Sequence, residues 1–474
     1  MNKLGLLKVI FSLCLFCVVG TIATGLTLAA PAVGFRTIIN FEPPGGGPAG
    51  PLVRATDGNF YGTTIAGGAN DAGMVFKLNT AGTLTTIYSF CTTPACPDGA
   101  YPYEGVIQAT DGNFYGTTNG GGLNTLFGTI FKLTPDGVLT TLHTFKRSDG
   151  DDPRGGLIQA TDGNLYGVTG LGGATGYGIV FKLTLDGNFT TLYTFCSQPN
   201  CTDGTSPAGL IQATDGNFYG TTTGNDTVFR LTPDGVLTTL YTFCSQPDCA
   251  DGVYPLGGLI QASDGNFYGT TVQGGTGSNG ACYGTCGTVY RLTPDGTLTT
   301  LHNFDSVDGR FPEAPLVQAT DGDFYGTTSN GGSGGQGTIF RIAADGTFTT
   351  LRRFKDTNGA YPVAALIQSP GGNLWGTTLG GGSGNAGTVF AIDAGRGPFV
   401  EMSPIFGTMG APVTLLGVQM NGATSVTFNG TPAAFQIISN YAIKTIVPSG
   451  ATTGPVTVTT PSQTLISNVN FQVD

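Results

Sequence analysis

The sequence predicts an all-β chain: a seven-bladed β-propeller closed by its own N-terminal strand and followed by a small immunoglobulin-like β-sandwich. Three observations carry this expectation. A β-rich unit recurs at about 50 residues, each half of that unit occurs seven times, and the C-terminal stretch drops the pattern for a different set of short strands. No part of the repeat region shows the 3.6-residue periodicity of an amphipathic helix.

The unit is clearest in its fourth copy, where Leu-Ile-Gln-Ala from Leu210 precedes Asp-Gly-Asn from Asp215 and Phe-Tyr-Gly-Thr-Thr from Phe218. After a loop come Thr-Val-Phe-Arg-Leu from Thr227, a Pro-Asp-Gly turn, and a strand ending at Phe243. Short β-branched and aromatic runs punctuated by Asp-Gly read as strands joined by hairpin turns. Four per unit, here a to d, make a propeller blade. The Asp-Gly-Asn turn starts at Asp57, Asp111, Asp162, Asp215, Asp264 and Asp321, with a degenerate copy at Gly371, at spacings of 49 to 57 residues. Phe218 and Tyr219 put aromatic residues on both faces of strand b, as a sheet sandwiched between two others requires.

The halves of the unit are out of phase at the ends. Strand d ends at Phe41, Phe90, Phe145, Phe195, Phe243, Phe304 and Phe354, so its first copy precedes any complete unit. The last unit stops after strand c, near Asp393. The N-terminal strand is therefore expected to complete the last blade, which removes the exposed edge of an open array. The expected organisation is an export signal over 1–32, a propeller over 34–393, a linker over 394–402 and an immunoglobulin-like domain over 403–474.

Lys3 and Lys8 followed by an uncharged, mostly apolar run and small residues read as a signal peptide. An uncleaved anchor is the alternative, because the run is long enough to span a bilayer. The expected location is secreted, periplasmic or cell-surface, with no membrane span after cleavage. The net charge is −11, and the two lysines are the only charges in the first 30 residues, so the mature chain is more acidic still. Such a surface opposes phosphate backbones and anionic lipid, which sets nucleic acid aside as a partner. A monomer is expected. Eight further cysteines fall in close pairs, Cys91/Cys96, Cys196/Cys201, Cys244/Cys249 and Cys282/Cys286. Local pairs on an exported chain read as disulfides, each stapling one loop. Zinc is the rival reading, but only His143 and His302 could assist the thiolates.

The repeat resembles the GloVer tandem repeat of bacterial exported proteins (the choice-of-anchor family), carried by the Asp-Gly-Asn-Phe-Tyr-Gly-Thr-Thr…Gly-Gly pattern over roughly 35–393. That resemblance implies fold and location and supplies no active site. Ser403-Pro404, Gly407, Gly410, Val426-Thr-Phe-Asn-Gly430, Val447-Pro448 and Gly454-Pro-Val-Thr-Val458 resemble the IPT/TIG domain, a short immunoglobulin-like sandwich that serves exported proteins as a spacer.

Turns a–b and c–d fall on one side of such a disc and are short. Loops b–c and d–a fall on the other, vary in length and hold every cysteine pair, which makes that side the expected working face. The d–a loops share Asp/Asn-Gly-x-x-Pro, beginning at Asp98, Asp149, Asp203, Asp251, Asp308 and Asn358, with Tyr101, Tyr254, Phe311 and Tyr361 before the proline. Aromatic faces beside Asp98, Asp203, Asp251 and Asp308 suit the C–H faces and hydroxyls of a sugar. The alternative is that Asp-Gly and Pro only make turns and the aromatic ring packs on the neighbouring blade. Ca²⁺ at the channel mouth is a further candidate, with sparse ligation at one carboxylate per blade. No metal or other cofactor is expected.

No catalytic residue is assigned. His143 and His302 share the strand d column of Tyr88, Tyr193, Tyr241 and Arg352, so they are column substitutions and form no pair. The expected function is non-catalytic binding or scaffolding outside the cytoplasm, with a glycan or a surface protein as partner. The alternative is an exported propeller hydrolase or lyase acting on polysaccharide through acidic residues.

Overall fold

The computed structural model describes residues 34–43, 45–122, 127–276, 286–393 and 397–473. The expected signal peptide over 1–32, Cys282 and residues 394–396 of the expected linker lie outside them.

Seven four-stranded sheets cover the repeat region. The fourth contains Thr205–Gln212, Phe218–Gly224, Thr227–Leu231 and Leu237–Thr242, all neighbours antiparallel and in chain order. Strand b is buried along its length in Phe60–Thr64 and Phe114–Thr118, and strand c, as in Met74–Leu78, at every position but its Lys or Arg, because each sheet is covered on both faces. The Phe-Tyr pair of strand b does this directly. The Tyr of one repeat meets the Phe of the next, as in Tyr61 on Phe114 at 4.1 Å, Tyr219 on Phe267 at 4.3 Å and Tyr268 on Phe324 at 4.0 Å between ring centroids.

The same contact joins the last repeat to the first, with Trp375 in the Tyr column stacked on Phe60 at 4.2 Å. Strand Gly34–Asn40 pairs antiparallel with Thr388–Asp393, Phe35 opposite Ile392, and becomes the outer strand of the last sheet. Phe35 packs on Phe390 and Phe354 there. The order of strands and the N-terminal pairing match the sequence expectation.

A side-chain bond ties neighbouring repeats. The Gln closing strand a accepts the backbone N–H of the preceding repeat's a–b turn: Gln108 from Thr56 at 2.8 Å, Gln212 from Thr161 at 2.9 Å and Gln368 from Thr320 at 3.0 Å. In the first repeat Arg54 holds that column position.

Two further sheets form the C-terminal module. One comprises Glu401–Ser403, Pro412–Leu416, Ala442–Ile446 and Phe435–Ser439, and the other is built mainly from Thr464–Val473, Gly454–Thr459 and Ser425–Phe428. Val413, Leu415, Ile443, Phe428, Val458 and Phe471 share one buried core between them. The first strand takes in Glu401 and Met402, which the sequence places in the linker.

The module docks on the a–b turns of the seventh and first repeats. Ser439 Oγ donates to the Thr56 carbonyl at 2.6 Å, the Phe399 N–H donates to the Pro370 carbonyl at 3.0 Å, and the Arg54 guanidinium lies 5.2 Å from the Tyr441 ring centroid. Two irregularities of the repeat meet at this seam, Arg54 in the Gln column and the degenerate turn at Gly371.

Candidate functional site

The d–a loop is built around its aspartate. Asp203 is fully buried and accepts from the Tyr193 hydroxyl at 2.8 Å and from the Ser197 N–H and hydroxyl at 2.9 and 3.1 Å. Asp251 repeats this with Tyr241 and Ser245, and Asp98 with Tyr88 and Thr92. At the end of the fifth repeat His302 Nε2 stands 2.8 Å from Asp308, its ring stacked on Phe348. His143 stacks on Phe189 near Asp149. The four carboxylates read from sequence as ligand contacts thus hold strand d to its loop. They are not part of the wall of the central cavity.

Disulfides Cys91–Cys96, Cys196–Cys201 and Cys244–Cys249 close the same loops. The fourth expected pair departs from that pattern. Cys286 is disulfide-bonded, but its expected partner Cys282 lies outside the described residues. The Cys286 side chain is also buried in the core between the fifth and sixth sheets, with Val289, Phe304 and Phe340. The reason is its column. Cys286 precedes the glycine that leads into strand c, where the first and seventh repeats carry Ala72 and Ala386, and its carbonyl accepts from the Phe311 N–H of the next d–a loop at 3.0 Å.

The residue before the loop proline has a left-handed backbone in every repeat, with φ of +71° at Gly47, +58° at Tyr101, +57° at Asp152, +53° at Ser206, +62° at Tyr254, +58° at Phe311 and +57° at Tyr361. Its backbone stitches two loops together. The Tyr101 N–H donates to Ala72 of the previous repeat, and its carbonyl accepts from Asn119 of its own b–c loop. For a tyrosine this conformation costs about 1–3 kcal/mol. Little burial offsets it, since Tyr101, Tyr254 and Tyr361 are 53, 38 and 41% exposed. The Tyr101 and Tyr361 rings lie over Gly120 and Gly380 of their own b–c loops. Phe311 is half-buried beneath the Arg310 guanidinium, 4.8 Å from its ring centroid.

These loops open onto a central cavity of about 520 Å³ to which all seven repeats contribute. Tyr254 is in its wall, and Tyr101, Phe311 and Tyr361 each stand two residues before a wall position, at Tyr103, Glu313 and Val363. The wall is mostly backbone and small side chains, because the innermost segments of adjacent repeats touch. A Cβ on Gly155 would come within 2.2 Å of the Ala208 carbonyl oxygen, and one on Gly50 within 2.2 Å of the Gly105 nitrogen.

Against that wall the polar residues stand out. The second residue after the loop proline is Gly50, Gly155, Gly209, Gly257, Ala314 or Ala364, but Glu104 in the second repeat; the first is Glu313 in the sixth, Tyr103 in the second and Arg154 in the third. Burial pushes the Glu104 carboxyl above its ordinary range, against the pull of the Gly155 N–H and the Arg154 guanidinium. Burial likewise raises Glu313, which accepts from the Ser329 hydroxyl at 2.8 Å. Tyr103 is raised by burial and then by the charges of Glu313 and Glu104, so both carboxylates act on one space. Arg154 is paired with Asp152 at 2.5 Å, and Asp152 also accepts from Asn119 at 2.9 Å.

The sequence reading missed Glu104, Glu313 and Tyr103. Their signal is visible once the repeats are aligned by column: a charged or aromatic residue where the other copies carry Gly, Ala or an aliphatic side chain. Among the described residues no group of three His, Cys, Asp or Glu side chains is placed to hold a metal ion, and no helix is long and apolar enough to cross a membrane.

Sheets in a ring around a shared cavity define a β-propeller, and solved structures agree. A streptogramin B lyase matches with a TM-score of 0.54 at 18% identity, over 76% of this chain and 97% of its own. A catalytically inactive virginiamycin B lyase from Staphylococcus aureus, solved with quinupristin, matches with 0.53 at 15% identity, over 76% and 99%. A fungal alcohol oxidase of the AA5 family, solved with copper, matches with 0.52 at 14%, over 92% and 99%. At such identities the likeness is one of fold. No curated protein is similar in sequence. The model of the Gloeobacter/Verrucomicrobia repeat matches residues 23–226 and 223–434, and the chain belongs to that family.

Proposed function

We propose that this chain is an exported binding protein whose seven-bladed propeller receives a saccharide at the mouth of its central channel. The C-terminal module, read as an IPT/TIG immunoglobulin-like domain, acts as a spacer on the opposite side of the disc, and the mature chain works as a monomer outside the cytoplasm. The observation that carries the reading is the set of exposed tyrosines, Tyr101, Tyr254 and Tyr361, held in left-handed backbone beside the cavity. Strained, unburied aromatic rings serve something other than stability. Their faces suit the C–H surfaces of a sugar, while Asn119, Tyr103 and the cavity carboxylates suit its hydroxyls. The cavity falls within the roughly 300–1,000 Å³ of small-ligand sites. The three disulfides fit an oxidising compartment.

A glycan array probed with the mature chain tests this. Binding should be lost when Tyr101, Tyr254 and Tyr361 are replaced together, and a folded triple variant that binds as before would overturn the reading.

A hydrolase or lyase is the second reading, favoured by the raised carboxyls of Glu104 and Glu313 in one cavity, since a carboxyl held protonated can act as a general acid. Release of new reducing or unsaturated ends from an array-positive polysaccharide, lost in Glu104→Gln, would establish it.

A further inference from the structure

Glu104 and Glu313 enter the cavity from the second and sixth repeats, across the ring from one another. Both residues are in its lining, and the Glu104 carboxyl accepts the Gly155 N–H of the neighbouring wall segment. The charged groups of the lining are three carboxylates, Glu104, Glu313 and Asp152, and one guanidinium, Arg154. That guanidinium is committed to Asp152 at 2.5 Å. Glu313 has the Ser329 hydroxyl as its hydrogen-bond donor. With both glutamates ionised, the lining holds two negative charges beyond the Asp152–Arg154 pair, in surroundings that resist charge.

A metal ion does not answer this demand, because the acidic groups are not gathered at ligating distance. What fits is a larger ligand that brings its own positive charge and spans toward both carboxylates. An ammonium group supplies three N–H donors and restores the solvation that burial removes. Asn119 Oδ1, a buried atom with no hydrogen-bond partner in the same wall, is a further acceptor for such donors. Tyr254 offers an exposed ring face at the entrance, attractive to both a cation and a sugar.

We propose that the ligand is an amine-bearing saccharide, its ammonium group received by Glu104 and Glu313 within the channel. This rests on the saccharide reading above and adds the charge of the ligand to it. The acidic surface of the whole chain favours approach of such a cation.

The test compares two probes of one shape by titration calorimetry at low salt: the β-1,4-linked disaccharide of glucosamine, and cellobiose, which carries hydroxyls in place of the amines. At pH 7 the wild-type chain should prefer the amino sugar by about tenfold or more. In the Glu104→Gln/Glu313→Gln variant that ratio should fall to about one. With wild type alone, the ratio should shrink as pH is lowered from about 6, where the sugar's amines are already protonated, to about 4, as the carboxylates take up protons. Equal binding of both sugars by wild type overturns the charge assignment and leaves the saccharide reading standing. Failure of the folded wild type to bind either sugar overturns both. A preference that survives the double substitution, or is flat across that pH range, removes Glu104 and Glu313 from the account.

Discussion

At the scale of single residues, position in the repeat decides what each side chain does. Aspartate in the Asp-Gly-x-x-Pro loop is given over to structure, and replacing Asp203 with Ala strands the Tyr193 hydroxyl and the Ser197 N–H. That substitution should cost about 2–3 kcal/mol in denaturant unfolding. The exposed tyrosines of the same loops should behave oppositely. Tyr101→Asn, Tyr254→Asn and Tyr361→Asn place a residue tolerant of positive φ where the ring is half-exposed, so stability should hold or rise, by up to about 1 kcal/mol each. A loss of several kcal/mol would mean that the rings are packing elements after all. The loop motif was legible as a turn, but the left-handed tyrosine in it was not, because Tyr and Phe have no preference for that conformation. Glu104 and Glu313 were hidden for another reason: neither belongs to a motif, and each is meaningful only against the Gly and Ala of its column. Cys286 shows the same dependence on column, since it is disulfide-bonded as its pairing suggested and also fills a core position shared with Ala72 and Ala386.

Among the elements, strands were the most legible, since alternating aromatic and β-branched runs recur with their turns at a nearly constant interval. The N-terminal strand was found by counting, and its pairing with Thr388–Asp393 puts Phe35 against Phe390 and Phe354. Phe35→Ala should cost about 2–3 kcal/mol, at the low end for phenylalanine truncations because the ring is half-buried. Deletion of residues 34–41 should lower the melting temperature of the whole ring, and undiminished stability would show that the last sheet does not need it. The start of the C-terminal module was less legible. Glu401 and Met402 look like linker in isolation, yet Met402 fills the core of the sandwich. The degenerate turn at Gly371 was legible as an irregular copy, and Arg54 in the Gln column is a second departure from the repeat. Both face the docked module, a long-range contact that no local pattern announces.

For the whole molecule, the module's attachment to the a–b side leaves the d–a and b–c side and its cavity open. The joint should be sensitive to pH. Burial pushes the Glu401 carboxyl up to about 7, against the pull of Arg54. The folded chain then holds a proton on Glu401 that the unfolded chain has released between about pH 4.5 and 7, so this contribution is present below that window and lost as pH rises through it. A decline of about 1–3 kcal/mol across the window is expected in wild type and should be absent from Glu401→Gln.

The central claim is that ligand is received on the d–a and b–c side. Hydrogen exchange of the mature chain, with and without a saccharide that binds it on the array, tests this most directly. Slowed exchange should appear at the amides of 99–107, 252–259, 309–317 and 359–367, the loops and innermost segments around the channel. Protection confined to the a–b turns near Asp57, Asp111 and Asp162, or to the C-terminal sandwich, would contradict the account.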